Sequence, residues 1–193
     1  MKDRQNLVSM LVCEKSAHKQ DTFFVEQSLK DYPIHLLKLL VEKGCRVICL
    51  DTQRYADASP ELKHLGIDVD AWPNPPAGLF VVAERTVYLR QRNALTLTHE
   101  LGHALDCALG NGVYFSSSNK EVKSAFINAI RFVTPYAATS LDEYFAECVR
   151  AYMGVNAADS PWPRVSGSRL REYDPAMYSI IHGIFSEGIC SSE

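Results

Sequence analysis

The spacing of apolar and polar positions predicts that most of this chain is helical. Apolar residues recur at helical intervals between Asn93 and Gly110, and these two residues are suited to cap and to end such a helix. A second amphipathic segment follows Ser140, which stands three residues before Glu143 in the pattern of a capping box. Cap and stop residues predict further helices at 33–44, 59–66, 118–132 and 174–185.

Short apolar runs between turn residues predict a few strands. The run 45–50 fits a buried strand, and the runs 79–83 and 86–90 flank a two-residue turn as the arms of a β-hairpin would. The second arm leads into the longest predicted helix, where it could pair with an extended peptide. We therefore expect an α+β fold in which helices predominate and a small twisted β-sheet lies beside that helix.

The length of the chain is that of one domain. A chain of 193 residues can bury roughly 70% of the surface that it exposes when unfolded. The proline-rich stretch 71–78 is interpreted as a stiff loop and not as a linker, because apolar strands resume directly after it. We divide the chain into an N-terminal segment, residues 1–18, which could be mobile, and a single domain, residues 19–193.

Charge and hydropathy exclude several classes of partner. The net charge is −3 and the chain has no basic run, so we expect no nucleic acid and no membrane partner. No apolar stretch approaches the length of a membrane span. The run Leu7–Cys13 is too short for a secretory signal and lacks a small-residue cleavage site, so we interpret it as a first strand. The expected location is the cytoplasm, with delivery by a secretion route that needs no signal peptide as the alternative.

The six cysteines are spread along the chain without a C-x-x-C pair. Cys107 and Cys148 fall on predicted core helices. This distribution favours reduced, mostly buried thiols, as is usual in a cytosolic protein. It offers no ligand spacing for a structural zinc site.

One pentapeptide in the longest predicted helix has the spacing of a zinc site. His99, Glu100 and His103 stand in the order His-Glu-x-x-His, and two histidines four residues apart project from one face of a helix. Their nitrogens suit a single Zn²⁺ ion, whose fourth position holds water in catalytic sites. Glu100 could take a proton from that water as a general base. Gly102 inside this helix implies that another element packs closely against it.

A catalytic zinc ion usually has three protein ligands, so one more ligand is needed. The nearby candidates do not fit. The position six residues after His103, where another histidine would mark a metzincin, is Leu109. Asp106 lies on the same straight helix, which cannot wrap three ligands round one ion. We interpret Asp106 as a carboxylate that lies near the ligands or in solvent.

The helix that follows Ser140 offers two better candidates. Glu143 and Glu147 are four residues apart and share one face of a helix that is otherwise mostly apolar. Glu143 could be the third ligand, or it could only close the capping box with Ser140. Glu147 could be a ligand, could orient a ligand histidine, or could pair with Arg150. Burying two such carboxylates requires positive charge opposite them.

The two motifs together resemble those of a known group of metallopeptidases. The sequence H-E-L-G-H-A-L-D, beginning at His99, and the sequence E-Y-F-A-E, beginning at Glu143, are similar to those of the anthrax lethal factor peptidase domain and the Pro-Pro endopeptidases. Both are zincins. The resemblance implies that His99, His103 and Glu143 bind zinc and that Glu100 is the general base.

The same resemblance implies two further roles. Glu147 would help to hold a ligand histidine in place. Tyr136, seven residues before the ligand glutamate, would stabilise the oxyanion that develops at the scissile carbonyl. Weaker similarity extends over residues 20–187. The known members of the family are secreted, whereas this chain shows no convincing export signal.

We therefore predict a single-domain, zincin-like and zinc-dependent endopeptidase that acts on a peptide or protein substrate. A narrower alternative is an effector or toxin peptidase that cuts one host or competitor protein. The alternative without catalysis is a zinc-stabilised binding or regulatory module. The presence of Glu100 argues against this last alternative, since a module that only binds needs no general base.

Overall fold

The computed structural model describes residues 2–12, 19–156 and 163–186. The described residues form helices and three short strands, with single 3₁₀ turns at Val69–Ala71, Val82–Glu84 and Tyr136–Ala138. In chain order the helices and strands are α1 (Lys2–Leu11), α2 (Lys19–Ser28), α3 (Ile34–Glu42), β1 (Arg46–Cys49), α4 (Tyr55–Ala58), α5 (Pro60–Leu65), β2 (Gly78–Val81), β3 (Thr86–Leu89), α6 (Ala94–Leu109), α7 (Lys120–Asn128), α8 (Leu141–Met153), α9 (Gly167–Tyr173) and α10 (Pro175–Ser186). The predicted α+β class is confirmed.

The sheet has the strand order β1-β3-β2 and is mixed. Strands β1 and β3 are parallel, with Val47 opposite Val87, whereas β2 and β3 form the predicted antiparallel hairpin, with Phe80 opposite Val87. Every residue of the central strand β3 is buried. The predicted role of β3 in pairing with a peptide is wrong, because both of its edges are already hydrogen-bonded to neighbouring strands. Strand β2 is an outer strand of this sheet.

Helix α6 is the element around which the rest of the domain packs. It contacts β2, β3, α2, α3 and α8. Leu97, Leu101 and Leu105 are fully buried, as a helix with neighbours on several sides requires. Asn93 caps its start by accepting the N–H of Leu95, and Gly110 follows its last residue, as predicted.

Gly102 allows helix α8 to cross α6 at close range. A Cβ atom built at Gly102 would lie 2.7 Å from the Cα and 3.0 Å from the Cβ of Ala146. A side chain here would therefore push the two helices apart. The close packing inferred from the sequence is confirmed, and it brings the glutamates of α8 opposite the histidines of α6.

The apolar interior has two parts, which share strands β2 and β3. The larger cluster joins α6 and α8 to most of the helices and to β1, β2 and β3. The smaller, which we call the second core, consists of Leu50, Tyr55, Leu62, Val69, Val81 and Tyr88. It holds α4, α5 and the 3₁₀ turn at Val69–Ala71 against β2 and β3.

The predicted strand at Leu7–Cys13 is wrong over its described part. Helix α1 runs through Leu11, and Val8 and Leu11, three residues apart, are both fully buried, which is the spacing of a helix that packs through one face. Val12 then forms one parallel bridge with Val47 of β1. Cys13 lies outside the described residues. The boundary between residues 18 and 19 stays a prediction.

Two other differences concern helix ends. Helix α7 begins after Asn119, which accepts the N–H groups of Glu121 and Val122, and it ends at Asn128 instead of continuing to Phe132. The chain turns there so that the ring of Phe132 packs against that of Tyr144, 5.8 Å between centroids. Helices α2, α4 and α9 were not predicted at all.

The cysteine prediction holds wherever the structure describes the chain. Cys45, Cys49, Cys107 and Cys148 are buried free thiols, and burial raises the pKa of each. Cys13 and Cys190 lie outside the described residues. Within the described ranges, no helix combines the length and the apolar character that crossing a bilayer requires.

Candidate metal centre

Helix α6 brings the two predicted histidine ligands together. His99 and His103 are one helical turn apart, and their Nε2 atoms lie 3.2 Å from each other. His103 is 6% exposed and His99 is mostly buried, so both rings reach into a partly dry site. The helix thus places two nitrogen donors side by side.

Glu143 of helix α8 completes a triangle with these nitrogens. Its Oε2 atom lies 3.1 Å from Nε2 of His99 and 3.3 Å from Nε2 of His103. A tetrahedral zinc ion with bonds of about 2.0 Å holds its ligand atoms about 3.3 Å apart. Oε2 is buried and has no hydrogen-bond partner of good geometry, as expected of atoms that face a shared centre. These three residues could hold a metal ion.

Ser140 caps helix α8 without using the carboxylate of Glu143. Its Oγ atom accepts the backbone N–H of Glu143 at 3.4 Å. The side chain of Glu143 points the other way, towards the histidines and towards Tyr136. Of the two interpretations left open by the sequence, the geometry favours the metal ligand.

Glu147 orients His99 and also pairs with Arg150. Its Oε1 atom accepts from Nδ1 of His99 at 2.9 Å and from Nε of Arg150 at 2.9 Å. Its Oε2 atom accepts from Nη2 of Arg150 at 2.8 Å and from Oγ1 of Thr134 at 2.7 Å. Because Nδ1 of His99 carries the donated proton, Nε2 of a neutral ring keeps its lone pair for a metal.

The charges in this centre favour a cation. Burial opposes a charge on His99, but the carboxylates of Glu143 and Glu147 outweigh it and raise the pKa of the imidazole to about 10. Burial would also raise the pKa of Glu147, but His99 and Arg150 lower it to about 2. The pKa of Glu143 is lowered in the same way, chiefly by the two histidines. The site attracts positive charge, as a metal site must.

Glu100 and Tyr136 flank the triangle. Glu100 is 8% exposed, and burial raises the pKa of its carboxyl group, with His99 and His103 acting against that rise. Tyr136 donates its hydroxyl proton to Oε1 of Glu143 at 2.7 Å, and its ring centroid lies 5.7 Å from that of His99. The two oxygens of Glu143 therefore face different groups.

Asp106 lies outside the centre and away from solvent. It is fully buried and accepts the backbone N–H of Ser116 at 2.7 Å and the hydroxyl of Ser116 at 2.6 Å. Burial raises its pKa to about 6. Asp106 therefore holds the loop that follows α6, and the suggestion of a solvent carboxylate is wrong.

A cleft of about 580 Å³ opens beside the centre. His99, Glu100, Tyr136 and Glu147 line one side of it, together with Leu95 and Thr96 of α6. The rest of the lining comes from Gly78 and from five residues of the stretch 71–77, which is here called the wall loop. Trp72 of this loop is 51% exposed. An apolar cleft with a few polar groups at its base is the usual form of a ligand site.

Sequence reasoning missed the wall loop and Thr134 as parts of the site. Thr134 stands thirteen residues before its partner Glu147, and no local pattern joins them. The proline-rich composition of the wall loop indicated stiffness, but only the packing of the domain places it across from α6.

The fold was compared with known proteins. It matches the solved structure of the Pro-Pro endopeptidase PPEP-2 from Paenibacillus alvei with a TM-score of 0.65. The two chains are 22% identical, and the match covers 93% of this chain and 100% of the other. At this identity the match shows that the fold is shared. No protein-family model and no curated protein matches the sequence, and the resemblance to lethal factor stays a prediction.

Proposed function

We propose that this protein is a zinc-dependent endopeptidase. The single observation that carries the proposal is the triangle of His99, His103 and Glu143, whose edges of 3.1 to 3.3 Å suit one tetrahedral ion. The fold shared with a Pro-Pro endopeptidase supports it. The position of Glu100 in a cleft beside the triangle supports catalysis rather than a purely structural metal.

In this proposal His99, His103 and Glu143 hold the ion. A bound zinc ion would polarise a carbonyl group and lower the pKa of a water molecule to about 7. Glu147 keeps His99 in the tautomer that leaves Nε2 free, and Arg150 and Thr134 hold Glu147 in turn. The residues present therefore fit the group that the motif implies.

Glu100 would act as the general base. Its carboxylate takes a proton from the attacking water and later delivers it to the leaving amine. Burial raises the pKa of this group, which makes its carboxylate a better proton acceptor than an exposed glutamate. The two neighbouring histidines act against this rise.

Tyr136 would stabilise the oxyanion. Its hydroxyl is a donor at the edge of the cleft, and 36% of the residue is exposed, so a substrate can reach it. When a peptide binds, the phenol would donate to the oxygen on which negative charge develops, in place of Oε1 of Glu143. Burial and the nearby Glu143 raise the pKa of this phenol, which keeps it protonated.

The substrate would bind as an extended chain along the cleft. Strand β2 begins at Gly78 in the cleft wall and is an outer strand of the sheet, so it offers backbone groups for β-augmentation. Exposed Trp72 and Pro75 of the wall loop present an apolar surface to the peptide. Peptides with adjacent prolines are the first substrates to test, given the activity named for PPEP-2.

The decisive experiment combines metal analysis with a peptide library. We expect about one zinc ion per chain and cleavage that a chelator abolishes. Glu100→Gln should keep the zinc and lose at least about a hundredfold in turnover, the usual size of a general-base effect. His103→Ala should lose both the bound zinc and the cleavage of peptides.

Different results would contradict different parts of the proposal. Equal turnover in Glu100→Gln would remove Glu100 from the mechanism, and full zinc occupancy in His103→Ala would refute its assignment as a ligand. Stoichiometric zinc with no cleavage of any peptide would instead indicate a binding or regulatory module.

A further inference from the structure

The wall loop, residues 71–77, is held from outside and not by its own packing. Six of its seven residues are exposed, and its part beyond Ala71 belongs to no helix or strand. An exposed loop of this kind is ordinarily among the more mobile parts of a domain. Contacts from other elements are therefore the ones that can hold it in place beside the cleft.

One network of three residues contacts both ends of the wall loop. At its far end, the hydroxyl of Tyr55 donates to the carbonyl oxygen of Pro76 at 2.8 Å. The backbone N–H of Arg90 donates to the carbonyl oxygen of Ala77 at 2.9 Å. At its near end stands Asp70. The carboxylate of Asp70 accepts the N–H of Tyr55 at 2.8 Å and forms a salt bridge with Arg90.

The network is joined to the second core through Tyr55, which is one of the residues of that core. Tyr55 is fully buried, and the side chain of Asp70 is 9% exposed. The guanidinium of Arg90 lies 4.8 Å from the centroid of the Tyr55 ring, in a cation–π contact. Hydrogen bonds among groups withheld from water are stronger than those at an exposed surface.

The residue that follows the loop touches the helix of the proposed general base. A Cβ atom at Gly78 would lie 2.5 Å from Cγ2 of Thr96 and 2.8 Å from Cγ of Glu100. The chain therefore passes α6 at a distance that only glycine permits. The network on one side and this contact on the other determine how far the wall loop stands from Glu100.

We propose that Tyr55, Asp70 and Arg90 are positioning residues that hold the wall loop at the separation from Glu100 that an extended peptide requires. They set the affinity for the peptide and take no part in breaking its bond. This proposal rests on the proposed peptidase function. When the loop is already ordered, peptide binding does not have to order it, so the entropy cost of binding is smaller and the affinity is higher.

Tyr55→Phe is the variant that tests the proposal most directly. It removes the hydroxyl that holds Pro76 and keeps the ring on which Arg90 stacks. Tyr88→Phe is the matched control, because Tyr88 also lies in the second core and its hydroxyl donates to Glu84 and to the carbonyl oxygen of Ala58. Asp70→Asn serves as a second variant, since it weakens the near end of the loop.

Two measurements are made on the full chain. Amide hydrogen exchange of residues 70–78 is expected to speed up about tenfold in Tyr55→Phe and to stay unchanged in Tyr88→Phe. For a peptide that the wild type cleaves, KM is expected to rise fivefold to tenfold with kcat within twofold. The affinity of the same peptide, measured in the Glu100→Gln background, should weaken by the same factor.

Each outcome decides one question. Unchanged exchange in both Tyr55→Phe and Asp70→Asn overturns the anchoring, and faster exchange with unchanged KM overturns its role in affinity. A fall in kcat at constant KM would place the network in the chemical step, against the proposal. If the wild type cleaves no peptide, the peptidase function fails, and the exchange data still decide whether the network holds the loop.

Discussion

The buried carboxylates of this protein differ in what surrounds them, and their chemistry differs accordingly. Glu143 faces the two histidines and Glu147 faces His99 and Arg150, and the pKa values of both carboxyl groups are lowered. For Glu100 and Asp106 the effect of burial is larger than that of the groups that stabilise the charged carboxylate, and their pKa values are raised. Glu100 and Asp106 lie on the same helix, yet one lines the cleft and the other holds a loop.

Asp106 should make the stability of the protein depend on pH. Its pKa is about 6 in the folded state against an ordinary value of 3.8, so the folded state keeps this proton to higher pH than the unfolded state does. Its contribution is fully present below about pH 4 and is lost as pH rises through about 6, by up to about 3 kcal/mol. Urea unfolding of the wild type and of Asp106→Asn, at pH 4 and at pH 7 and with a chelator present, measures this contribution to the free energy of unfolding.

The comparison with Asp106→Asn isolates this group from the other carboxylates. The free energy of unfolding of the wild type, relative to that of the variant, should fall between pH 4 and pH 7. A difference that stays constant over that range would mean that Asp106 titrates in the folded state as it does in a flexible peptide.

Glu147→Gln should weaken the metal site without removing a ligand. The amide cannot match the carboxylate as an acceptor for Nδ1 of His99, so the metal affinity should fall about 10- to 100-fold. Arg150, which is fully buried, would also lose its counter-charge, and stability should fall with it. Competitive zinc titration measures the metal affinity, and thermal unfolding measures the stability. An unaltered zinc affinity would show that His99 needs no orienting partner.

At the scale of elements, the crossing of α6 and α8 makes the site. Two of the proposed ligands lie on α6 and one lies on α8, so the geometry of the triangle depends on the distance between the helix axes. That distance is short because Gly102 lies directly against the backbone of Ala146. A glycine that lowers helix propensity thus serves the packing of the two helices.

Gly102→Ala should therefore destabilise the protein although alanine is the better helix former. Propensity alone would favour alanine by about 1 kcal/mol, but forcing the helices apart should cost about 1–3 kcal/mol more than that gain. Gly183 in α10 is the matched control, because a Cβ atom there meets nothing within 4 Å. Urea unfolding should show Gly183→Ala stabilised and Gly102→Ala destabilised, and a stabilised Gly102→Ala would contradict the packing described.

At the scale of the whole molecule, the cleft lies between two separately packed parts. The larger core carries α6 and α8, on which His99, His103 and Glu143 form the candidate metal site. The second core carries the network that anchors the wall loop. The sheet belongs to both cores, since β2 and β3 contribute residues to each. The width of the cleft is therefore a property of the domain and not of any one segment.

Metal binding should stabilise the whole domain, because the ligands join two helices that pack against most of the others. Zinc at about a hundredfold above its Kd should raise the free energy of unfolding by about 2.7 kcal/mol. Differential scanning calorimetry with zinc and with a chelator measures the effect. His103→Ala should show no such difference, and an equal shift in that variant would mean that zinc binds elsewhere.

Much of the fold was predictable because its signals are local. Ser59, Asn93 and Ser140 cap helices where the sequence predicts them, and the hairpin of β2 and β3 follows from its apolar runs. Helix α1 was misread because a short apolar run fits a buried strand as well as a helix face. Only its packing against α3 distinguishes the two.

The sequence by itself determined two of the three donor residues of the candidate site and the acid beside them, since the spacing of His99, Glu100 and His103 on a helix is a local property. The spacing of the two glutamates of α8 left their roles open, and the family resemblance assigned them. The tertiary structure places Glu143 against both histidines and Glu147 against Nδ1 of His99. It also decided that β2 and the wall loop face the cleft. These are contacts between segments far apart in the chain, and their distances depend on how whole elements pack, which no local pattern records.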